Sequence, residues 1–498
     1  MVLSPKKIYK DLRNGDIDKH SAAEILISLI ENADRSEFRS ECIVILQKID
    51  CKNDKIFSLL ENLMISDTNE KIRIIAANTL KNLFHEKALP PFRWALDHER
   101  SLHCLSKIIT DISEIKDISA KLILLEKINE INKKKYKYNL KILFEEDKIH
   151  DLSNKELAEL LINYYIISSL KIRFGYLKFE YNKDGAVINL DLSNVENQSF
   201  NKLTSYIESI LSLSFLRYLD LSNNNLMELP VKSDITSSLE YLNLNYNKLT
   251  KIPESIKSLK SLKILNLKFN KLKFLPESIG ALSNLEVLNL RSNQIKMLPD
   301  QIKLLKGLKT LDLQGNLLTD LPDSLSRLNN LNELQLGGNY FSEIPECFKS
   351  LSSLRILGMG RNKISSIPHW IGASNFLREL DLHDNKIEEI KDTTSLPNSL
   401  EILNLRNNRL KSLPKTISHL KSLKKLNLSW NNLTELPDWI EYLVSLEELN
   451  LWANRLDTVP DSIESLKSLK VLYLNFTNIK ELPKPLKIMK KNGLTIKI

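Results

Sequence analysis

The sequence DLHDN, residues 381–385, carries the side chains best suited to chemistry, namely Asp381, His383 and Asp384. A histidine between two carboxylates could bind a metal ion or transfer protons. Arg361 and Arg406 lie beside this group in neighbouring copies of a sequence repeat. No further ligand or nucleophile accompanies the group, and an open sheet face does not exclude water as a reaction pocket does. The pattern therefore favours a solvated polar patch or a partner contact, and an enzyme site is the least favoured alternative.

A second candidate site is the glycine-rich sequence LGMGRN, residues 357–362. A phosphate-binding loop must follow a strand and open a helix, so that backbone N–H groups converge on the anion, and no helix pattern follows here. Gly358 and Gly360 instead fall on one face of a short strand. Three further glycines share that face in the two preceding repeats: Gly315, Gly337 and Gly338. Because glycine weakens a strand unless another backbone or a ligand approaches, the five predict a smooth surface in the middle of the array, which is either a docking surface or the result of sequence drift.

The rest of the chain offers little else for catalysis. In the sequence HERSLHC, the residues His98, His103 and Cys104 are spaced poorly for metal ligands on one helical face. The sequence also contains no P-loop lysine, HExxH helix or nucleophile elbow. The sequence thus predicts no metal, no cofactor and no enzyme. The net charge of +9 over 498 residues permits anionic partners without requiring them, so a basic adaptor for nucleic acid or an anionic membrane surface stays open as an alternative.

The strongest signal in the sequence is a repeat. The pattern L-x-x-L-x-L-x-x-N-x-L-x-x-L-P returns every 23 residues, twelve times, from Leu216 to Leu469. Its fourth and sixth positions point to one side of a short strand, and its third, fifth and seventh positions point to the other. Each repeat therefore has one buried and one free strand face. The asparagine at the ninth position has both a donor and an acceptor, which predicts a ladder of side chains that satisfies backbone groups.

This pattern resembles the leucine-rich repeats, and LPxxIxxLxxL is similar to the intracellular Ras-group members of that family. The resemblance covers roughly residues 187–498. It implies an α/β solenoid shaped as a horseshoe, with a parallel sheet on the concave side and short helical or 3₁₀ turns, such as 276–282, on the convex side. It also implies a small GTPase, a kinase or a phosphatase as partner, in signalling. Repeats one and eight lack the convex Ile and Leu, and Thr477 replaces the last asparagine, so we expect local irregularity there.

The ends of the array and the residues before it have their own patterns. Residues 1–168 show helical periodicity and resemble HEAT or armadillo repeats, with two hairpins offset by 34 residues and a capping box at 21–24. Residues 169–215 should hold a capping hairpin, with its turn at Asp184-Gly185, and a first divergent repeat; the twelve repeats fill 216–485. Residues 486–498 should form a short helix and an edge strand that close the array.

Three aromatic residues near the end of the array are the best candidates for binding a partner. Trp430, Trp452 and Phe476 lie at the seventh or eighth position of consecutive repeats, so their rings can touch. The alternative is a self-packed cluster that shields the end of the array. Four cationic or polar residues on nearby or more distant strands could form a polar margin: Arg406, Arg361, His383 and Arg291. The sequence therefore predicts a non-enzymatic interaction scaffold that binds a globular protein on the concave face. Without a signal peptide or membrane span, and with four scattered cysteines, a cytoplasmic location is expected.

Overall fold

The computed structural model describes residues 4–133, 146–175, 177–182, 186–195, 203–231 and 237–498. The chain divides into two compact units. One comprises Met1–Leu190 and Ser205–Leu216, and the other comprises Asp191–Thr204 and Arg217–Ile498. None of the described helices combines the length and the apolar composition needed to cross a lipid bilayer.

The first unit is built mainly of helices that pack apolar faces against one another, as the helical periodicity predicts. Among the described residues, 3₁₀ turns accompany them at His85–Ala88 and Glu146–Asp151. The α-helices are α1 (Pro5–Asn14), α2 (Lys19–Asn32), α3 (Ser36–Ile49), α4 (Asp54–Ser66), α5 (Glu70–Phe84), α6 (Leu89–His98), α7 (Leu102–Glu114), α8 (Ile118–Lys133), α9 (Asn154–Phe174) and α10 (Thr204–Leu211).

The predicted capping box at residues 21–24 is wrong. Helix α2 begins at Lys19, and the side chain of Asp18 accepts a hydrogen bond from the N–H of Ser21 at 2.7 Å. Asp18 is an equally strong N-cap one turn earlier, so Ser21 lies inside the helix. A complete capping box does occur in this unit, where Ser153 and Glu156 cap α9 reciprocally. That helix runs to Phe174, beyond the boundary expected at residue 168.

The helical repeat offset of 34 residues has a physical counterpart in two ion pairs. Arg39 of α3 pairs with Asp67 at 2.5 Å, and the matching Arg73 of α5 pairs with Glu99 at 2.8 Å. All four side chains are largely removed from water, which makes each pair a fixed contact between successive helical layers. The unit ends in the neighbouring strands β1 (Lys178–Tyr181) and β2 (Val187–Asp191). The expected turn at Asp184-Gly185 lies outside the described residues.

The second unit contains a parallel sheet with one short strand for each repeat. Neighbouring strands pair in the order of the chain, and the leucine at the centre of each strand stands opposite the leucine of the next. The described strands are β3 (Tyr218–Asp220), β4 (Tyr241–Asn243), β5 (Ile264–Asn266), β6 (Val287–Asn289), β7 (Thr310–Asp312), β8 (Glu333–Gln335), β9 (Ile356–Gly358), β10 (Glu379–Asp381), β11 (Ile402–Asn404), β12 (Lys425–Asn427), β13 (Glu448–Asn450), β14 (Val471–Tyr473) and β15 (Thr495–Lys497). The predicted solenoid and its 23-residue register are confirmed.

The buried face of the sheet and the asparagine ladder follow the predicted positions. Leu265 and Leu267, at the fourth and sixth positions of repeat three, are completely buried. In mid-array the Nδ2 group of Asn339 donates to the carbonyl oxygens of Leu313 (3.0 Å) and Leu336 (2.9 Å). Its Oδ1 accepts from the N–H of Leu318 at 3.0 Å. One side chain thus joins two repeats at three backbone groups.

The opposite side of most repeats is a single 3₁₀ turn that begins after the proline that recurs in the repeat pattern, as at Glu277–Ala281. Repeat eight has no such turn between β10 and β11, which confirms its expected irregularity; the matching residues 232–236 of repeat one lie outside the described residues. The side-chain hydroxyl of Thr477, in place of the last asparagine, donates to the carbonyl oxygen of Leu474 in its own repeat at 2.8 Å. The predicted closing elements are present as α11 (Lys484–Lys491) and β15, which pairs with β14.

Candidate functional site

The free face of the sheet carries the side chains at the third, fifth and seventh positions of each repeat, and the eighth position follows at its edge. The backbone at the eighth position is left-handed throughout, with φ of 55° at Phe269 and 56° at Trp430. Gly315 and Gly338 occupy this same position, with φ of 65° and 67°. Because this conformation is strained for residues with a side chain, these two glycines suit the backbone and need no ligand to explain them.

The three aromatic residues predicted to bind a partner form one cluster at the C-terminal part of this face. The ring centroids of Trp430 and Trp452 are 6.0 Å apart at 67°, and those of Trp452 and Phe476 are 6.2 Å apart at 36°. Trp430 is 49% exposed and Phe476 is 80% exposed. Trp452 lies between them, half-buried, and its Nε1 group is shielded from water and has no hydrogen-bond partner among the described residues. We call these residues the C-terminal aromatic cluster.

The predicted polar margin is only partly brought together with this cluster. Arg406 follows β11, which pairs with β12, the strand that precedes Trp430. Arg406 makes no ion pair with any acidic residue in the described ranges. Arg361 is held by Asp384, with Nε and Oδ2 3.4 Å apart. Arg291 follows β6, six strands away from β12, which corresponds to roughly 30 Å at the usual strand spacing. Arg291 is therefore not part of a compact patch around the aromatic rings.

The DLHDN group forms a hydrogen-bonded network rather than an empty site. The Nδ1 atom of His383 is 2.7 Å from Oδ1 of Asp381, and its Nε2 atom is 3.8 Å from Oδ2 of Asp384. The hydrogen bond to Asp381 raises the pKa of His383 above its usual value, against the opposing effect of burial. Asn407 donates to the other oxygen of Asp384 at 2.5 Å. The carboxylates of Asp381 and Asp384 thus both already interact with neighbouring side chains. Neither carboxylate is available as a general base next to an unpaired general acid.

The expected smooth surface of glycines is not present around Gly358 and Gly360. A Cβ on Gly358 would overlap the amide of Gln335, and a Cβ on Gly360 would overlap the imidazole of His383. Both glycines are buried because these two side chains lie across them. A side chain of the adjacent strand fills the space that each glycine leaves, and the spacing of the glycines alone does not indicate this.

Burial also acts on carboxylates in the middle of this face. It is the first cause of the raised pKa of Asp312, and it raises the pKa of Glu379 together with the nearby charges of Asp381 and Glu333. Acidic side chains at the third and fifth positions of repeats five to eight therefore form an electronegative stretch. This stretch separates the two ends of the free face.

Sequence reasoning missed a second aromatic group at the N-terminal end of the free face. The rings of Tyr218 and Tyr241 stack at 4.4 Å and 9°, and those of Tyr246 and Phe269 stack at 4.4 Å and 12°. Tyr246 and Phe269 are both exposed, at 48% and 39%. They occupy the eighth position, as Trp430 and Phe476 do. The recurrence of aromatic residues at the eighth repeat position indicates both groups in the sequence. Rings at this position lie outside the leucine positions that form the core, so burial in the core does not explain them.

The His98 and Cys104 region of the first unit contains a small open cavity. Trp94 and His98 stack at 4.1 Å, and the cavity of about 230 Å³ beside them is also lined by Arg73 and Glu99. Burial raises the pKa of the Cys104 thiol, which makes it a poor nucleophile. Across the part of the chain that the structure describes, no three His, Cys, Asp or Glu side chains come together as a metal-binding group.

Comparison with known families identifies the repeat. The model described as "Leucine-rich repeat region" matches residues 377–481. The model described as "Leucine rich repeat" matches residues 214–272, 237–295, 283–341 and 306–364. Together the matched residues make up about half of the chain and, apart from residues 214–216, lie within the second unit.

Several solved structures are similar to this chain. A leucine-rich-repeat protein of Leptospira interrogans is 32% identical, with a TM-score of 0.48, over 66% of this chain and 94% of that protein. The plant peptide hormone receptor RGFR1, solved with RGF2, is 24% identical, with a TM-score of 0.48, over 64% of this chain and 59% of the receptor. An internalin of Listeria monocytogenes is 20% identical, with a TM-score of 0.45, over 63% of this chain and 94% of that chain. No curated protein matches the sequence significantly.

Proposed function

Because the chain is a leucine-rich-repeat protein, we propose that it is a non-enzymatic scaffold that binds a globular protein on the free face of its sheet. Leucine-rich-repeat domains generally mediate interactions between proteins, since a repeat array offers an extended surface built from short, similar strands. Thirteen strands of the second unit lie side by side among the described residues, about 4.8 Å apart, so the sheet is long enough for a whole protein domain.

The observation that carries this proposal is the C-terminal aromatic cluster. Trp430 and Phe476 have left-handed backbones, with φ of 56° and 58°, at a position that glycine fills in two other repeats. A bulky residue there costs about 1 to 2 kcal/mol relative to an unstrained conformation and adds nothing to the leucine core. Contiguous exposed rings mark interaction sites on soluble proteins, and tryptophan is enriched among the residues that contribute most to binding.

Arg406 gives this surface a polar margin. It is exposed and unpaired within the described part of the chain, next to the strand that carries Trp430. A carboxylate of the partner at this point would form a charge-assisted hydrogen bond at the rim of an apolar contact, where arginine is enriched. Arg361 and His383 belong to the network around Asp384 and contribute polar surface on the side of the acidic stretch.

An enzyme at Asp381, His383 and Asp384 has less support. The carboxylates that would act as base or metal ligand are already paired with His383, Arg361 and Asn407. The arrangement lies on an open sheet face, where water would compete for every charge. The same contacts suit a rigid polar surface that a partner can recognise.

The resemblance to Ras-group repeats favours a role in signalling, with a small GTPase, a kinase or a phosphatase as the partner. A cytoplasmic location is part of this proposal. It is supported by the four cysteines, all of which are free and three of which are buried. Free cysteines are usual in a reducing compartment, where disulfides do not persist.

Affinity capture from a native extract, followed by mass spectrometry, tests the proposal. The full chain serves as bait beside the double variant Trp430→Ala/Phe476→Ala and the control Phe376→Ala. Phe376 is 58% exposed but lies at the last position of repeat seven, away from the free face. We expect at least one protein that the wild type and Phe376→Ala capture equally and the double variant loses. Equal capture by all three baits would contradict the proposal.

A further inference from the structure

Four cationic residues occupy repeat positions close to those of the exposed rings of Tyr246 and Phe269. Lys268 and Arg291 lie at the seventh position of repeats three and four. Lys268 directly precedes Phe269, and Arg291 lies in the repeat that follows Phe269. The tenth position of repeats two and three adds Lys248 and Lys271, which are both exposed. We call these six residues the N-terminal basic patch.

None of the four cations forms an ion pair with an acidic residue in the described ranges. Lysines at the second position of some repeats are paired, as Lys263 is with Glu240 at 2.7 Å and Lys309 with Glu286 at 2.7 Å. Lys268 and Arg291 act on Asp312 only at longer range, where they oppose the burial that raises its pKa. The patch therefore carries an uncompensated positive charge directly around an apolar surface.

The stacked arrangement of the two rings indicates which groups they can contact. With centroids 4.4 Å apart and planes 12° apart, each ring covers one face of the other. The exposed area therefore includes ring edges, which carry partial positive charge and attract anionic oxygens. Apolar side chains pack against the same edges. The patch thus matches a ligand that combines carboxylates with apolar groups.

Acidic residues limit the patch on both sides. Asp220 lies on β3 in repeat one, and Asp312 and Glu333 lie on β7 and β8. The positive field consequently extends over repeats two to four, roughly 10 Å across the strands. That length matches about three to four residues of an extended peptide. A long nucleic-acid strand that followed the sheet in either direction would meet repelling carboxylates, so the observations favour a protein segment.

We propose that the N-terminal basic patch binds a short acidic segment of a protein partner, one that carries aspartate or glutamate beside an apolar side chain. The carboxylates pair with Lys248, Lys271 and Arg291, and the apolar side chain packs on the rings of Tyr246 and Phe269. This site is separate from the C-terminal aromatic cluster, because the electronegative stretch of repeats five to eight lies between them. The two sites can be tested independently.

A library of random twelve-residue peptides displayed on phage, selected on the full chain, provides the probes. We expect the enriched peptides to contain an excess of Asp and Glu together with Leu, Ile, Phe, Tyr or Trp. Fluorescence anisotropy then measures the affinity of the most enriched acidic peptide. The double variant Lys248→Gln/Lys271→Gln should weaken its binding at least about fivefold, and Tyr246→Ala should weaken it by a similar factor.

The matched control is Lys386→Gln/Arg455→Gln, which removes two cations from the same tenth position in repeats eight and eleven. It should leave binding unchanged, as should Phe476→Ala. The proposal is overturned if the selected peptides show no acidic excess, or if both double variants weaken binding equally. It is also overturned if a twelve-nucleotide single-stranded RNA binds more tightly than every selected peptide and loses affinity in the Lys248→Gln/Lys271→Gln variant, because the patch would then be a nucleic-acid site.

Discussion

The imidazole of His383 occupies the space that a side chain on Gly360 would need. A Cβ on Gly360 would lie 2.9 Å from Cγ of His383 and nearer still to two other ring atoms. The ring is fixed in this place because its Nδ1 atom is 2.7 Å from a carboxylate oxygen of Asp381. The absence of a side chain at Gly360 therefore leaves room for the imidazole of His383, so the role of this glycine is structural.

Replacing Gly360 by alanine should displace this ring. The displaced His383 loses its hydrogen bond to Asp381, which should lower the free energy of unfolding by about 1.5 to 3 kcal/mol in mildly acidic solution. The pKa of His383, measured by NMR, should move back toward its usual value. In a His383→Ala background the same change at Gly360 should be nearly neutral. An equal cost in both backgrounds would show that the backbone, and not the ring, requires glycine.

The raised pKa of His383 predicts how its contribution depends on pH. The hydrogen bond to Asp381 favours the protonated imidazole, so the folded protein binds this proton more tightly than the unfolded chain. The stabilisation is complete below the unfolded pKa of about 6.5 and is lost as the pH rises through the higher folded value. The difference in unfolding free energy between wild type and His383→Ala should therefore be larger at about pH 5.5 than at about pH 9. A difference that does not change with pH would refute this.

The asparagine ladder gives a direct test of the register. Asn339→Ala leaves two carbonyl oxygens and one N–H group without their buried partner, which should cost about 1 to 3 kcal/mol in urea titrations. Asn332, at the second position of the same repeat, is exposed, and Asn332→Ala should be close to neutral. Equal effects of the two changes would be inconsistent with the register.

Most of the second unit could be predicted because its sequence periodicity and its structural periodicity are the same. Every leucine at the fourth and sixth positions has the same surroundings, so one repeat predicts the next. The first unit was harder to predict in detail. Asp18 and Ser21 are both good N-caps, and only the packing of α2 decides between them.

The free face could be predicted only in outline. The three rings of the C-terminal aromatic cluster follow from their positions in the repeat, but the burial of Trp452 between the other two depends on side-chain orientations. The same holds for Gln335 and His383, which lie across glycines of the adjacent strand. Tyr246 and Phe269 were overlooked although they share the eighth position with Trp430. A comparison of that position across all repeats would have revealed both aromatic groups.

Core and surface residues of repeats eleven and twelve should differ sharply in their effect on stability. Leu449 is completely buried, and Leu449→Ala should lower the free energy of unfolding by about 2 to 5 kcal/mol through the cavity that it leaves. Phe476 is 80% exposed, so Phe476→Ala should change stability by less than about 0.5 kcal/mol. Thermal and urea denaturation of both variants measure this. A large loss of stability in Phe476→Ala would mean that the ring serves to close the array.

The affinity of the captured partner for Phe476→Ala tests the central claim most directly. Isothermal titration calorimetry should show binding at least about tenfold weaker than for the wild type, a loss of about 1.4 kcal/mol, while Phe376→Ala binds as the wild type does. Both variants keep a folded array, so the difference reports the contact itself. Unchanged affinity of Phe476→Ala and of Trp430→Ala, for every captured partner, would contradict the claim that the C-terminal aromatic cluster is the binding surface.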